Sequence, residues 1–229
     1  MKIYKGTGVS GKTAVGKSRF YKKTKEKPNE RFISDTESEK SRFRLAKYIA
    51  VKELALIYEK AYSELGEAAA LIFHIHQLML DDISFSDRVC SIIEDKKINA
   101  EAAVYLAANE LYNVFDSLEN IYMKERRMDI IDISERVILI LKNESRSFPI
   151  LDSPTVIIAD DLSPSELLLP KKEFISGIAL FNGSEKSHAA MIASKMNIPL
   201  IINLNLSGDF IPDGERVEID GEKGELRVL

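Results

Sequence analysis

His188 is the residue of this 229-residue sequence with the clearest capacity for chemistry. It stands in Asn182-Gly183-Ser184-Glu185-Lys186-Ser187-His188-Ala189-Ala190-Met191-Ile192-Ala193, between an apolar run from Phe174 to Phe181 and good helix formers from Ala189 to Met196. Ser187 reads as a helix N-cap, which sets the imidazole at the first helical turn. Backbone N–H groups there have no intrahelical partner and favour added negative charge, by about 0.3–1 kcal/mol when exposed. Two readings follow: a nucleophile that carries a phosphoryl group held at the helix start, or a histidine that caps and packs at a turn. Neutral imidazole, with an ordinary pKa of about 6.5, is a competent nucleophile near pH 7. It needs an orienting hydrogen bond and cationic or N–H stabilisation of the transferred group. Ser163, at the start of another helix after a strand, is either that orienter or a plain helix cap. Lys186 is either a point charge for phosphate or a solvated turn lysine.

Other candidate chemistry is weaker. The remaining histidines, His74 and His76, are two positions apart, so on a helix they point in different directions and cannot share a metal as i,i+4 histidines do. Cys90, the single cysteine, excludes an internal disulfide, fits a reducing compartment and reads as a buried helical position. Gly6-x4-Gly11-Lys12-Thr13 has the spacing of a phosphate loop. A nucleotide-cradling loop needs a buried strand before it and a helix after it, and neither flank is present.

These residues must be placed by the surrounding elements, which fall into three zones. Residues 1–21 carry spaced glycines among β-prone residues and read as short strands with a turn. A polar linker, 22–32, follows. From about Asp35 to Asn143 glycine and proline nearly vanish, and apolar residues recur at helical steps: Leu45, Ile49 and Leu56 on one helix, then Ile72, Phe73, His76 and Met79 or Leu80 on the next. Ser84 and Asn99 are candidate N-caps, and the span after Asn99 should break near Asp116–Asn120 or around Arg126. This predicts an all-helical domain of antiparallel hairpins over 33–144. Residues 146–229 return to alternation: a strand at Thr155–Ala159, a capping box at Ser163-Pro164-Ser165-Glu166, strands at Phe174–Phe181 and Ile198–Leu204, and a strand pair at Arg216–Ile219 and Glu225–Val228. The first and third zones together predict one α/β layer, discontinuous in sequence, with the helical domain inserted.

With 45% hydrophobic and 30% charged residues the composition is that of an ordinary globular protein. A formal net charge of −4 disfavours nucleic acid and favours a basic protein partner. No apolar run reaches membrane-spanning length and the N-terminus lacks a signal-peptide core, so the expected location is cytoplasmic.

Five ordered motifs then carry a resemblance that runs the length of the chain: Gly6-x3-Ser10-x5-Gly16-Lys17; Glu67-x4-Ile72-Phe73-x2-His76-x2-Met79-Leu80-Asp81-Asp82; Tyr122-x-Lys124-Glu125-Arg126-x2-Asp129-x2-Asp132-Ile133; Ala159-Asp160-Asp161-Leu162-Ser163-Pro164-Ser165-Glu166; and Gly183-x3-Ser187-His188-Ala189-Ala190-x2-Ala193. The sequence resembles the N-terminal half of enzyme I of the phosphoenolpyruvate:sugar phosphotransferase system. The resemblance implies an α/β swivelling phosphohistidine domain with an inserted all-α helical-bundle domain that docks the carrier HPr. It implies a phosphoenolpyruvate-protein phosphotransferase in which His188 is phosphorylated, Ser163 is its hydroxyl neighbour, and Lys186 and Ser187 flank it. His76, Met79, Leu80, Asp82 and Arg126 would lie near the HPr contact, where an acidic, apolar face suits a basic partner.

The sequence departs from the family pattern at Ser184, Glu185 and Lys186 in the histidine loop, at Ser194 after it, and at Ala69, where a lysine is usual. Ile83 and Ser84 replace acidic residues after Asp82. Positive charge near the phosphate is reduced, with Lys186 as the visible compensation, so the resemblance is to a divergent member. In the family, the phosphoenolpyruvate and Mg²⁺ sites lie in a C-terminal barrel that also dimerises. The sequence ends at Leu229 without it, so exchange with phospho-HPr and no use of phosphoenolpyruvate alone are expected. No cofactor is expected in this chain. The competing readings are a non-catalytic or regulatory binding module of the same fold and the mobile domain of a dikinase-like enzyme.

Overall fold

The computed structural model describes residues 2–22, 27–146 and 148–229, apart from the side chains of Ile121, Tyr122 and Glu125. The side chains of Tyr122 and Glu125 of the third motif, and residues 23–26 of the polar linker, therefore lie outside what the structure describes. The chain forms two compact units, residues 1–24 with 148–229, and residues 25–147. In chain order the elements are β1 (Lys2–Ser10), β2 (Thr13–Tyr21), α1 (Thr36–Leu65), α2 (Glu67–Asp81), α3 (Ile83–Lys96), α4 (Ala100–Asp116), α5 (Ile121–Lys142), β3 (Thr155–Ala159), α6 (Pro164–Leu167), β4 (Ile175–Leu180), α7 (His188–Lys195), β5 (Leu200–Asn205), β6 (Arg216–Asp220) and β7 (Glu225–Val228).

The expected α/β layer is instead a closed barrel in the order β1-β5-β4-β3-β2-β6-β7. Closure comes from β1, which pairs antiparallel with β5 on one side and with β7 on the other. Strands β2, β3, β4 and β5 run parallel, and β3, in their midst, is buried at every residue, as expected for a strand covered on both faces. Val156, Ile158, Ala179, Ile201, Val217 and Ile219 fill the barrel. Glycine lets the β6–β7 turn approach the end of β1: a Cβ on Gly221 would stand 1.9 Å from the Ser10 carbonyl oxygen. The phosphate-loop spacing dissolves in the same way. Gly6 lies within β1, and Gly11, at φ +74°, makes the turn into β2.

In the other unit, α1 and α2 form a hairpin about Gly66, α4 packs along α5, and α3 packs against α1 and α4. Phe43, Leu54, Ile72, Phe73, Ile93 and Ile130 are among its fully buried side chains. The helical span breaks between Asp116 and Ile121. Several sequence readings need correction. Leu45, Ile49 and Leu56 face solvent, and α1 instead buries Phe43, Ala46, Ala50, Leu54 and Ala61, so the stripe that packs is built largely of alanine. The cap of α3 is Asp82, whose carboxylate accepts from Ser84 N at 2.7 Å, not Ser84. Asn99 occupies the α4 cap position, but its side chain accepts from Arg31 N at 2.8 Å, while Glu39 of α1 accepts the Ala100 N–H at 2.6 Å. That substitution works because Arg42 pairs with both Glu39 and Glu101 and offsets the cost of holding two carboxylates inside the bundle. The linker reading also shortens: Arg31, Phe32 and Ile33 pair with Asn99, Ile98 and Lys97 and belong to the helical unit. Cys90 is half-buried on α3 rather than fully enclosed.

Candidate functional site

The parallel strands β3 and β4 set the candidate site. Ala159 and Leu180 are partners in register at their C-terminal ends. Past the strands the two loops stay tied, since Phe181 N donates to Ala159 O at 2.9 Å and Asn182 N to Asp160 O at 3.0 Å. One loop carries Ser163 and the other His188, and the helices that follow them, α6 and α7, pack on each other. Loops beyond the carboxyl ends of adjacent parallel strands are where α/β sheets hold their ligands.

Each loop ends in a defined cap. Ser187 Oγ accepts from Ala190 N at 3.1 Å, which makes His188 the first residue of α7, half-buried. Ser163 Oγ accepts from Glu166 N at 3.4 Å, while Glu166 Oε2 accepts from Ser163 N at 2.8 Å, a reciprocal capping box. Pro164 follows at the first helical position, where its missing N–H costs nothing. Lys186 and Glu185 are exposed in the turn before the cap, and Lys186 N donates to Ser184 Oγ at 3.2 Å.

Sequence reasoning missed one participant. Tyr21, the last residue of β2, donates its hydroxyl to Glu166 Oε1 at 2.7 Å, so the capping glutamate is held from below as well as from its own helix. Nothing local signals it, because the two residues are brought together only by the pairing of β2 with β3.

In the helical unit the five expected partner residues separate by depth. His76 and Leu80 are fully buried, so neither presents its side chain to a partner directly. His76 lies 3.3 Å from Asp129 and 3.8 Å from Asp132, and Asp132 also pairs with Arg146. Met79 and Arg126 are half-buried and Asp82 is exposed. Hydrogen bonds from Ser84 hold the Asp82 carboxyl below the ordinary carboxylate range, so it is ionised at neutral pH. Leu78 and Ile83 stand exposed beside these residues in sequence, and Ala69 is buried on α2. Among the described residues no group of three or more His, Cys, Asp or Glu side chains is placed to hold a metal ion, and no helix is long and apolar enough to cross a membrane.

A barrel with parallel strands presenting a histidine at a helix start, encoded in one chain with a helical unit, defines a class. Residues 5–126 match the family described as PEP-utilising enzyme, N-terminal, and residues 151–224 match the PEP-utilising enzyme mobile domain. The chain belongs to the PEP-utilising enzymes and, within them, to the N-terminal part of enzyme I, as a divergent member. It is similar to the phosphoenolpyruvate-protein phosphotransferases of Lactococcus lactis subsp. lactis (31% identical over 226 residues, 98% of this chain and 39% of that protein) and Bacillus subtilis (34% over 232 residues, 100% and 40%). It thus spans about two fifths of the length of these curated relatives. An NMR solution structure of Enzyme I (nEIt) superimposes with a TM-score of 0.75 at 32% identity, covering 98% of this chain and 92% of that one. The N-terminal domain of Enzyme 1 - Nitrogen, at 21% identity and a TM-score of 0.64, shares the fold.

Proposed function

We propose that this chain is a phosphoryl relay, in which His188 accepts a phosphoryl group that originates from phosphoenolpyruvate and passes it to an HPr-like carrier. The observation that carries this reading is the position of His188 at the capped start of α7, on the loop tied to the Ser163 loop. In the exchange, an imidazole nitrogen of His188 supplies the electron pair for a new N–P bond as the N–P bond to the carrier histidine breaks, and the reverse step returns it. Ser163 orients the ring, while the α7 backbone N–H groups, Ser187 and Lys186 face the incoming charge. The helical unit receives the carrier through Met79, Asp82 and Arg126, with His76 and Leu80 supporting that surface from within. Swivelling of the barrel unit between donor and carrier belongs to the same proposal.

Incubation of the chain with phosphorylated HPr, followed by intact mass, tests the reading. One added phosphoryl group is expected, and none in His188→Ala. Modification that survives His188→Ala would overturn it. The departures at Glu185, Lys186 and Ala69 favour a non-catalytic module of the same fold, and carrier binding without phosphoryl exchange would select that alternative.

A further inference from the structure

We infer that Tyr21 and Glu166 are positioning residues that hold the Ser163 hydroxyl for His188, an inference that rests on the phosphoryl-relay reading. A capping glutamate ordinarily lies at the surface with one carboxylate oxygen in water. Glu166 has no exposed surface at all, and its two oxygens are assigned to different groups: Oε2 to the Ser163 N–H at 2.8 Å and Oε1 to the Tyr21 hydroxyl at 2.7 Å. A one-turn helix needs the first of these bonds and not the second.

Tyr21 is itself fixed. Its backbone pairs with Ala159 at the end of β3, the strand that leads into the Ser163 loop. Its ring lies against Phe148 with centroids 4.7 Å apart, and its neighbour Phe20 turns to the other face of the sheet, 6.1 Å from the ring of Phe181. The phenol therefore projects from a rigid strand end, and through Glu166 it fixes the peptide of Ser163. Ser163 Oγ in turn accepts from Glu166 N. A hydroxyl has a second acceptor site and a proton to donate. A ring N–H of His188 directed into that acceptor site fixes the tautomer, so that the other ring nitrogen presents its electron pair to phosphorus. Tyr21 and Glu166 act by keeping Ser163 still.

The test uses the whole chain with Tyr21→Phe, Glu166→Gln and the double variant. Transfer from phosphorylated Bacillus subtilis HPr is followed in single turnovers across carrier concentration, so the saturating rate separates from half-saturation. Tyr21→Phe removes one hydrogen bond to a carboxylate, and a saturating rate about tenfold lower is expected, with half-saturation unchanged. The double variant should be little slower than either single one, because the two groups act in one chain. Ring ¹⁵N spectra, assigned with His188→Ala, should show the tautomer balance of His188 moved by Tyr21→Phe while His74 stays in place. Unmoved His188 ring signals, or a saturating rate within twofold of the parent, would overturn the inference. If the parent chain takes no phosphoryl group at all, the relay reading fails, and the ring spectra still decide whether Tyr21 governs His188.

Discussion

Nε2 of His76 lies 3.3 Å from Oδ1 of Asp129, and both side chains are buried between α2 and α5. A polar group in that position is costly once its neighbour is removed. Asp129→Ala should therefore lower the stability of the helical unit by about 3 kcal/mol, and Asp129→Asn by less, since an oxygen remains to face the ring. Urea unfolding followed by circular dichroism measures both, and equal losses would show that the oxygen kept by asparagine contributes nothing.

Acid should weaken the same unit through Glu101. Burial pushes this carboxyl up, but hydrogen bonds from Arg42, a backbone N–H and Asn99, with the Arg42 charge, outweigh burial and leave it below the ordinary glutamate value of 4.5. A group whose folded value is depressed contributes stability that is complete above its unfolded value and lost as pH falls through the folded one. The unfolding midpoint should thus begin to fall below about pH 4.5. Glu101→Gln should be less stable at neutral pH and show a flatter acid slope, and an unchanged slope would assign the acid loss elsewhere.

Two glycines of the barrel should respond to alanine very differently. At Gly221, in the turn between β6 and β7, the new Cβ would overlap the Ser10 carbonyl at the end of β1, and a loss of about 4 kcal/mol or failure to fold is expected. Gly214, at φ +88°, has nothing within 4 Å of the added atom, so only backbone strain of about 1 kcal/mol is expected. Similar urea midpoints for the two variants would mean that the barrel relaxes around Gly221.

Ser163 caps α6 and, in the proposed relay, also orients His188, and substitutions separate the two roles. Ser163→Ala should cost about 1 kcal/mol of stability through the lost cap and slow phosphoryl exchange. Ser163→Thr keeps the hydroxyl and should keep both. Exchange by Ser163→Ala at the parent rate would confine Ser163 to capping.

The helices, the strands and both caps of the candidate site were legible because each rests on neighbours in sequence: the capping box spans four residues, and β7 is bounded by the residues its alternation marks, Glu225 and Val228. Barrel closure was not legible, since β1 meets β5 and β7 at the far end of the chain. The same holds for the partners of His76, which sit on another helix, and for Tyr21, placed against Glu166 by strand pairing alone. The solvent face of α1 misled because Leu45, Ile49 and Leu56 are exposed, while Ala46, Ala50 and Ala61 pack alongside Phe43 and Leu54.

The parallel pairing of β2 and β3 carries a further consequence. Strands that run the same way side by side need a connection returning the full length of the sheet. Between β2 and β3 that return is made by the whole stretch holding the helical unit. The seam is therefore a natural grafting point: a barrel whose neighbouring strands demand a long detour can accommodate an entire folded guest in the detour without altering a single rung of the ladder. A chimera in which a short crossover helix replaces that stretch would ask whether the barrel is a host that folds by itself.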